Sequence, residues 1–184
     1  MEASPLLGFG PEPASALVSP LPLLLIDVDG VLNPYVRPGT TLGAQYATHR
    51  IGEQVVRLTT SHGEWLHRLA ELYELVWATT WEADANALIG PIIGAPPNLP
   101  VISFTDRDAK DWTWKLPAVE RFVADRPLAW LDDDPGQGAD EWAAARAIPT
   151  LLVKPDGYVG WTEAEYNALF DFAHGIDSWR SSPP

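Results

Sequence analysis

Continuous apolar runs alternate with helical patterns along most of the chain. The run from Leu23 to Ile26 has no polar position, which is typical of a strand buried on both faces of a sheet. Comparable runs predict four further strands, at residues 75–78, 101–104, 128–131 and 150–153. Apolar residues at helical spacing predict helices at residues 63–72, 82–88, 114–124, 139–146 and from 162 to about 173. This order predicts an α/β fold with a central, mostly parallel sheet of about five strands and helices on both sides.

Two segments depart from the alternation. Residues 1–20 contain four prolines among Ser, Ala and Gly, which indicates an irregular tail before a single domain at residues 21–184. Residues 33–62 follow the first strand directly, and their alternating stretch at 55–60 predicts a hairpin with residues 46–51. We expect this segment to lie as a flap over the strand ends. His49, Arg50 and His62 fall in the flap and are expected at the surface.

Composition and charge exclude several classes of function. The 184 residues carry a formal net charge of −13, so tight binding to nucleic acid by the chain alone is not expected. There is no cysteine, which excludes disulfides, thiolate metal sites and thiol nucleophiles and fits a reducing compartment. The longest apolar run is too short to span a bilayer, and no basic segment indicates a secretory signal. We therefore expect a cytoplasmic protein without a membrane partner, and its oligomeric state stays open.

Polar residues suited to phosphate chemistry follow the buried strands and open one helix. They are Asp27, Asp29, Thr79, Thr80, Asp132, Asp133 and Asp134 at the strand ends, and Lys115 at the helix start. Because ligands of parallel sheets bind at the carboxyl ends of the strands, we expect these side chains to meet. Several carboxylates in one cleft would repel each other. A hard divalent cation resolves this repulsion, and a set of oxygen ligands favours Mg²⁺.

The spacing of Asp27 and Asp29 suits phosphoryl transfer. Side chains two positions apart in an extended chain point the same way, so both carboxylates can face one phosphorus atom. One can attack while the other handles the proton of the leaving group. Gly30 permits the sharp turn that follows.

Three further residues are candidate phosphate ligands. The hydroxyl of Thr79 can donate to phosphate oxygens, and the hydroxyl or backbone N–H of Thr80 can add a second donor near a helix start. Lys115 would neutralise the charge of the pentavalent arrangement.

Four short motifs in this order resemble those of the haloacid dehalogenase-like (HAD) hydrolases. They are residues 27–32 (DVDGVL), residues 75–79 (LVWAT), Lys115, and residues 130–133 (WLDD). Lys110 competes with Lys115 for the third motif, and Lys115 is preferred because it lies at the helix start. The resemblance covers residues 23 to about 135. The run at 77–82 with the following Asn86 is also similar to small HAD domains that accompany RNA-repair enzymes.

The resemblance implies a Rossmann-like three-layer fold and an aspartyl-phosphate intermediate. Asp27 would be the nucleophile and a metal ligand, and Asp29 would be the acid/base, with its backbone carbonyl on Mg²⁺. Asp133, or else Asp132, would complete the magnesium shell, and Asp134 would be the spare carboxylate. The gaps between the motifs are too short for a cap domain, which indicates the capless or minimal-cap class.

The predicted function is that of a magnesium-dependent phosphomonoester hydrolase that uses Thr79 and Lys115 to hold the phosphoryl group. The phosphorylated substrate would be a small molecule or a nucleic-acid end. Two alternatives stay open. One is a non-catalytic module that binds a phosphorylated ligand or a protein partner, and the other is a nucleic-acid end-processing phosphatase that works with a repair partner.

Overall fold

A computed structural model describes residues 21–39, 41–104 and 114–180 of the chain. Its strands are β1 (Leu23–Ile26), β2 (Ala47–Ile51), β3 (Gln54–Leu58), β4 (Glu74–Trp77), β5 (Leu128–Leu131) and β6 (Thr150–Val153). Its α-helices are α1 (Thr60–Leu69), α2 (Gly90–Ile93), α3 (Leu116–Val123), α4 (Ala139–Ala145) and α5 (Glu163–Arg180). A π-helical turn, Ala85–Ile89, leads directly into α2.

The central sheet has four parallel strands in the order β4-β1-β5-β6. The predicted strand at 101–104 is reduced to one parallel bridge, between Trp77 and Val101. The pairing ends after Ile102, whose backbone N–H still donates to Trp77, because the backbone N–H of Phe104 donates to the side chain of Glu82 and not to β4. The α/β prediction is therefore confirmed, with four strands in place of about five.

Alternate residues of β1 face two separate cores. Leu24 and Ile26 lie in the core formed with α1 and α5, where Leu66 and Leu169 are fully buried. Leu23 and Leu25 face the opposite side of the sheet and lie in the core formed with α3 and α4. A run without polar positions is thus required at β1, because both faces of the strand are covered by helices. The sheet with helices on both faces gives the three-layer arrangement.

The helices differ from the predicted ones mainly at their ends. Thr59 caps α1 by accepting a hydrogen bond from the backbone N–H of Ser61, so the helix begins within the segment predicted as flap. Pro91 occupies the first turn of α2, where proline is tolerated, and the helical segment ends at Gly94 in the left-handed conformation. Thr162 and Glu165 form a capping box at the start of α5, since the Glu165 carboxylate accepts from the backbone N–H of Thr162. From there α5 runs to Arg180, beyond the predicted end.

The segment after β1 contains the predicted hairpin. β2 and β3 pair antiparallel from Ala47 opposite Leu58 to Ile51 opposite Gln54. β3 buries Val56 and Leu58 against the core on the α1 side of the sheet. Within the described ranges no separate cap domain is present, so this hairpin is the main addition near the carboxyl ends of β1 and β4.

Several expectations lie outside the described residues or concern the membrane. The proline-rich segment 1–20 and Lys110 lie outside them, so the structure does not bear on their predicted roles. None of the helices in the described part of the chain is long and apolar enough to cross a membrane.

Candidate active site

The carboxylate of Asp27 lies at the carboxyl end of β1, paired with a buried lysine. Lys115 Nζ is 2.7 Å from Asp27 Oδ2 and 2.6 Å from Asp132 Oδ2, and all three side chains are almost completely buried. Asp27 reaches this point because β1 is central in the sheet, and Lys115 because it immediately precedes α3. The lysine therefore joins the first and fourth motifs in a single ion-pair network.

Asp132 is held by three donors. Its Oδ2 atom accepts hydrogen bonds from Lys115 and from the indole Nε1 of Trp130, and its Oδ1 atom accepts from the backbone N–H of Asp134. A carboxylate has about four lone-pair positions, so most of its capacity is used within the protein.

Asp133 is half-buried and lies between two glycines. A Cβ atom on Gly30 would come within 2.2 Å of the Asp133 carboxyl carbon, and one on Gly157 would come within 2.5 Å of Oδ2. Gly30 also has a φ of 76°, a left-handed conformation that favours glycine. Because Gly30 and Gly157 have no side chains, their backbones can lie against this carboxylate. We call this arrangement the glycine cradle.

Three acidic side chains of the described residues lie close together at this site. One ligand atom each from Asp27, Asp132 and Asp133 lies within 4.8 Å of the others, and the ammonium of Lys115 pairs with Asp27 and Asp132. The pKa of Asp133 is raised to about 6, mainly by burial and also by the charge of Asp27. Burial likewise raises the pKa of Asp132, and the charge of Asp27 adds to this effect, whereas Lys115 opposes it.

The same electrostatics favour the charged lysine. Burial alone would lower the pKa of Lys115, but the adjacent carboxylates of Asp27 and Asp132 outweigh burial and raise it. Among the described residues, three carboxylates lie beside the one ammonium of Lys115, and a divalent cation would offset the repulsion between them. The oxygen donor set and the glycine cradle both fit a hard cation such as Mg²⁺.

Asp29 is positioned by two residues that sequence reasoning did not select. Asn33 Nδ2 donates to its Oδ1 atom at 2.7 Å, and Trp81 Nε1 donates to its Oδ2 atom at 3.0 Å. Each oxygen of the Asp29 carboxylate therefore accepts one of these hydrogen bonds, and Asp29 is not a member of the group formed by Asp27, Asp132 and Asp133. The sequence signals these two residues only through their positions. Asn33 lies four residues after Asp29 in a tight loop, and Trp81 lies two residues after Thr79.

The two threonines differ in exposure. Thr79 follows β4 and is fully buried, and its hydroxyl oxygen accepts a hydrogen bond from the backbone N–H of Trp81 at 3.4 Å. Thr80, the next residue, is exposed. Both lie where β4 ends beside β1, because the backbone N–H of Ala78 donates to Ile26.

The flap histidine His62 was expected at the surface, and this expectation is wrong. It is 1% exposed, because α1 begins at Thr60 and turns this side chain toward the core. Its ring stacks on that of Trp161, with 5.2 Å between centroids, and its Nε2 atom lies 3.0 Å from the Trp161 carbonyl oxygen. His62 is therefore part of the packing between α1 and the start of α5.

Residues 23–166 match the family described as the HAD domain in Swiss Army Knife RNA repair proteins. The matched range includes all four motifs and every candidate site residue. A comparison with curated proteins finds no match.

Proposed function

The chain belongs to the family of HAD domains found in Swiss Army Knife RNA repair proteins, and we propose that it is a magnesium-dependent phosphomonoesterase. The observation that carries this proposal is the buried pairing of Asp27 with Lys115, next to Asp132 and Asp133. A carboxylate at a strand end beside a fixed ammonium and further acidic groups suits nucleophilic attack on phosphorus.

The proposed reaction has two steps. In the first, an oxygen of Asp27 forms a bond to phosphorus while the ester bond breaks, and Asp29 gives a proton to the leaving oxygen. In the second, Asp29 takes a proton from a water molecule that attacks phosphorus, which releases phosphate and restores Asp27. The hydrogen bonds from Asn33 and Trp81 fix the Asp29 carboxylate for both transfers.

Mg²⁺ would be held by Asp27, Asp133 and the backbone carbonyl of Asp29, with Asp132 as the fourth candidate. When bound, it supplies positive charge that offsets the carboxylates and the phosphoryl oxygens. Lys115 adds a fixed positive charge on the same side, and Thr79 and Thr80 are the proposed hydroxyl and amide donors at the end of β4.

The experiment compares p-nitrophenyl phosphate hydrolysis by the parent chain and by Asp27→Asn, with and without Mg²⁺. We expect magnesium-dependent hydrolysis by the parent and only the uncatalysed rate with the variant. Asp134→Asn is the matched control, because Asp134 is exposed and its side chain accepts only a local bond, from the backbone N–H of Gly136. Equal rates for Asp27→Asn and the parent would refute the mechanism.

A nucleic-acid end is the substrate class that the family description favours. The absence of a cap domain among the described residues agrees with this, because a bulky end needs an open cleft. A panel of oligonucleotides with 5′- or 3′-phosphate ends, assayed beside sugar phosphates, tests this second candidate. Faster turnover of the sugar phosphates would favour a small-molecule phosphatase.

A further inference from the structure

Two tyrosines lie exposed at the edge of the candidate active site. Tyr35 and Tyr158 are both 46% exposed, and their rings meet edge to face with 5.9 Å between centroids. They come from distant parts of the chain, the loop after β1 and the loop between β6 and α5. The backbone N–H of Tyr35 donates to the carbonyl oxygen of Gly157, which holds the two loops together.

The aromatic pair is continuous with the carboxylate group. The ring of Tyr35 lies 3.0 Å from the position that a Cβ atom on Gly157 would occupy, and Asp133 Oδ2 lies 2.5 Å from the same position. Gly157 therefore lies between the ring of Tyr35 and Asp133, which is a proposed metal ligand. A substrate whose phosphate lies at Asp27 would place its remaining atoms close to this ring.

A cation flanks the pair on its outer side. The guanidinium of Arg37 lies over the ring of Tyr158, 4.1 Å from the centroid. This contact is a cation–π interaction that restrains the ring and covers one of its two faces, so a base would stack on Tyr35 or on the opposite face of Tyr158. It also places positive charge near a cleft that is otherwise rich in carboxylates.

We propose that Tyr35 and Tyr158 form a stacking surface for the base of a phosphorylated nucleotide, so that they select nucleotides over plain sugar phosphates. This inference rests on the proposed phosphatase function and names the part of the substrate that is not phosphate. Stacking needs a flat ring, and every nucleobase has one. In a nucleotide the sugar separates phosphate from base, which allows the base to reach the edge of the cleft while the phosphate lies within it.

An aryl phosphate fits this arrangement less well. Its ring is attached directly to the phosphate oxygen, so it would lie closer to the carboxylates than a base that a sugar separates from the phosphate. Phosphotyrosine therefore serves as a competing substrate in the test.

The test measures kcat/KM for adenosine 5′-monophosphate, adenosine 3′-monophosphate, ribose 5-phosphate and phosphotyrosine. Ribose 5-phosphate has the same ester as the 5′-nucleotide without the base. In the double variant Tyr35→Leu/Tyr158→Leu, we expect the preference for a nucleotide over ribose 5-phosphate to fall by about 5- to 100-fold. The double variant Tyr35→Phe/Tyr158→Phe keeps both rings and should retain most of the preference.

The control is Phe170→Leu, which removes an exposed aromatic ring from α5. It should leave the preference unchanged. The proposal is refuted if the parent hydrolyses ribose 5-phosphate as well as both nucleotides, or if the leucine variant slows all substrates equally. It is also refuted if phosphotyrosine is the substrate whose preference depends on the two rings. In each of these cases the phosphatase function itself stands.

A binding measurement separates the two proposals. Calorimetry on Asp27→Asn compares the affinity for adenosine 5′-monophosphate with that for ribose 5-phosphate, without and with the leucine changes. Tighter nucleotide binding that the leucine changes abolish would support the stacking surface even if the parent hydrolysed nothing. No difference between the two ligands would refute it whatever the activity of the parent.

Discussion

Protonation of His62 should make the fold sensitive to mild acid. The side chain is 1% exposed, and aromatic rings of Trp65 and Trp161 lie against it. Its Nδ1 atom is buried and has no hydrogen-bond partner among the residues that the structure describes. Burial lowers the pKa of His62 to about 4, although its hydrogen bond to the carbonyl oxygen of Trp161 acts in the opposite direction. The folded protein therefore holds this histidine neutral at pH values where the unfolded chain would protonate it.

The sign and size of the effect follow from this difference. The ordinary histidine pKa is 6.5, so between pH 6.5 and about 4 the unfolded state binds a proton that the folded state does not. Above pH 6.5, His62 therefore does not lower the free energy of unfolding. As the pH falls from 6.5 to about 4, the free energy of unfolding decreases progressively. We expect a loss of about 2 kcal/mol at pH 5 and a limit of about 3 kcal/mol below pH 4.

Urea unfolding of the parent and of His62→Gln at pH 7.5 and pH 5.0 measures this loss. The buried carboxylates Asp132 and Asp133 have raised pKa values and act with the opposite sign, but they are present in both proteins and cancel in the comparison. The stability of the parent relative to the variant should fall by about 2 kcal/mol between the two pH values. His67→Gln, at an exposed histidine of the same helix, should leave the pH dependence unaltered. An equal difference between parent and His62→Gln at both pH values would refute the reasoning.

Three further changes test the site itself. Lys115→Met removes the ammonium shared by two buried carboxylates, so urea unfolding at pH 8 should show a loss of about 3–5 kcal/mol that shrinks at pH 5 and on addition of Mg²⁺. Trp81→Phe removes one of the two hydrogen bonds that orient Asp29. We expect kcat to fall by about tenfold and its pH profile to change. An unaltered pH profile would contradict the positioning role of Trp81. Gly30→Ala combines backbone strain of about 1–3 kcal/mol with a collision against Asp133. A magnesium titration of the hydrolysis rate should therefore show weaker activation than in the parent. Equal activation would contradict the role of the glycine cradle in metal binding.

The convergence of the main site residues could be predicted because it depends only on topology. Asp27, Thr79 and Asp132 each follow a strand whose apolar run is legible in the sequence, and parallel strands bring their carboxyl ends to one edge. Lys115 could be placed because it precedes a helix with a clear apolar face. The parallel register of β1 with β4 and β5 then brings these side chains together, and the paths of the loops need not be known.

Residues that act through the path of a loop could not be predicted in the same way. Asn33 reaches Asp29 because the chain turns back at Gly30, and Gly157 approaches Asp133 from the loop that follows the next strand, β6. Neither relation has a periodic signal. His62 was misplaced for a related reason, since the helix start was set three residues too late and the capping role of Thr59 was missed.

The three consecutive aspartates after β5 show how one strand end supports different tasks. Asp132 points into the protein, where three donors occupy most of its lone pairs, so its part is to hold Lys115 against Asp27. Asp133 lies in the cradle formed by glycines, with a carboxylate oxygen within 4.8 Å of a ligand atom of Asp27. Asp134 is exposed and contributes its backbone N–H to Asp132. The preference for Asp133 over Asp132 as a metal ligand therefore has a physical basis in the number of hydrogen bonds that each already accepts. The two aspartates therefore meet different requirements, because the buried position needs a partner for the lysine and the cradle needs an oxygen that remains available.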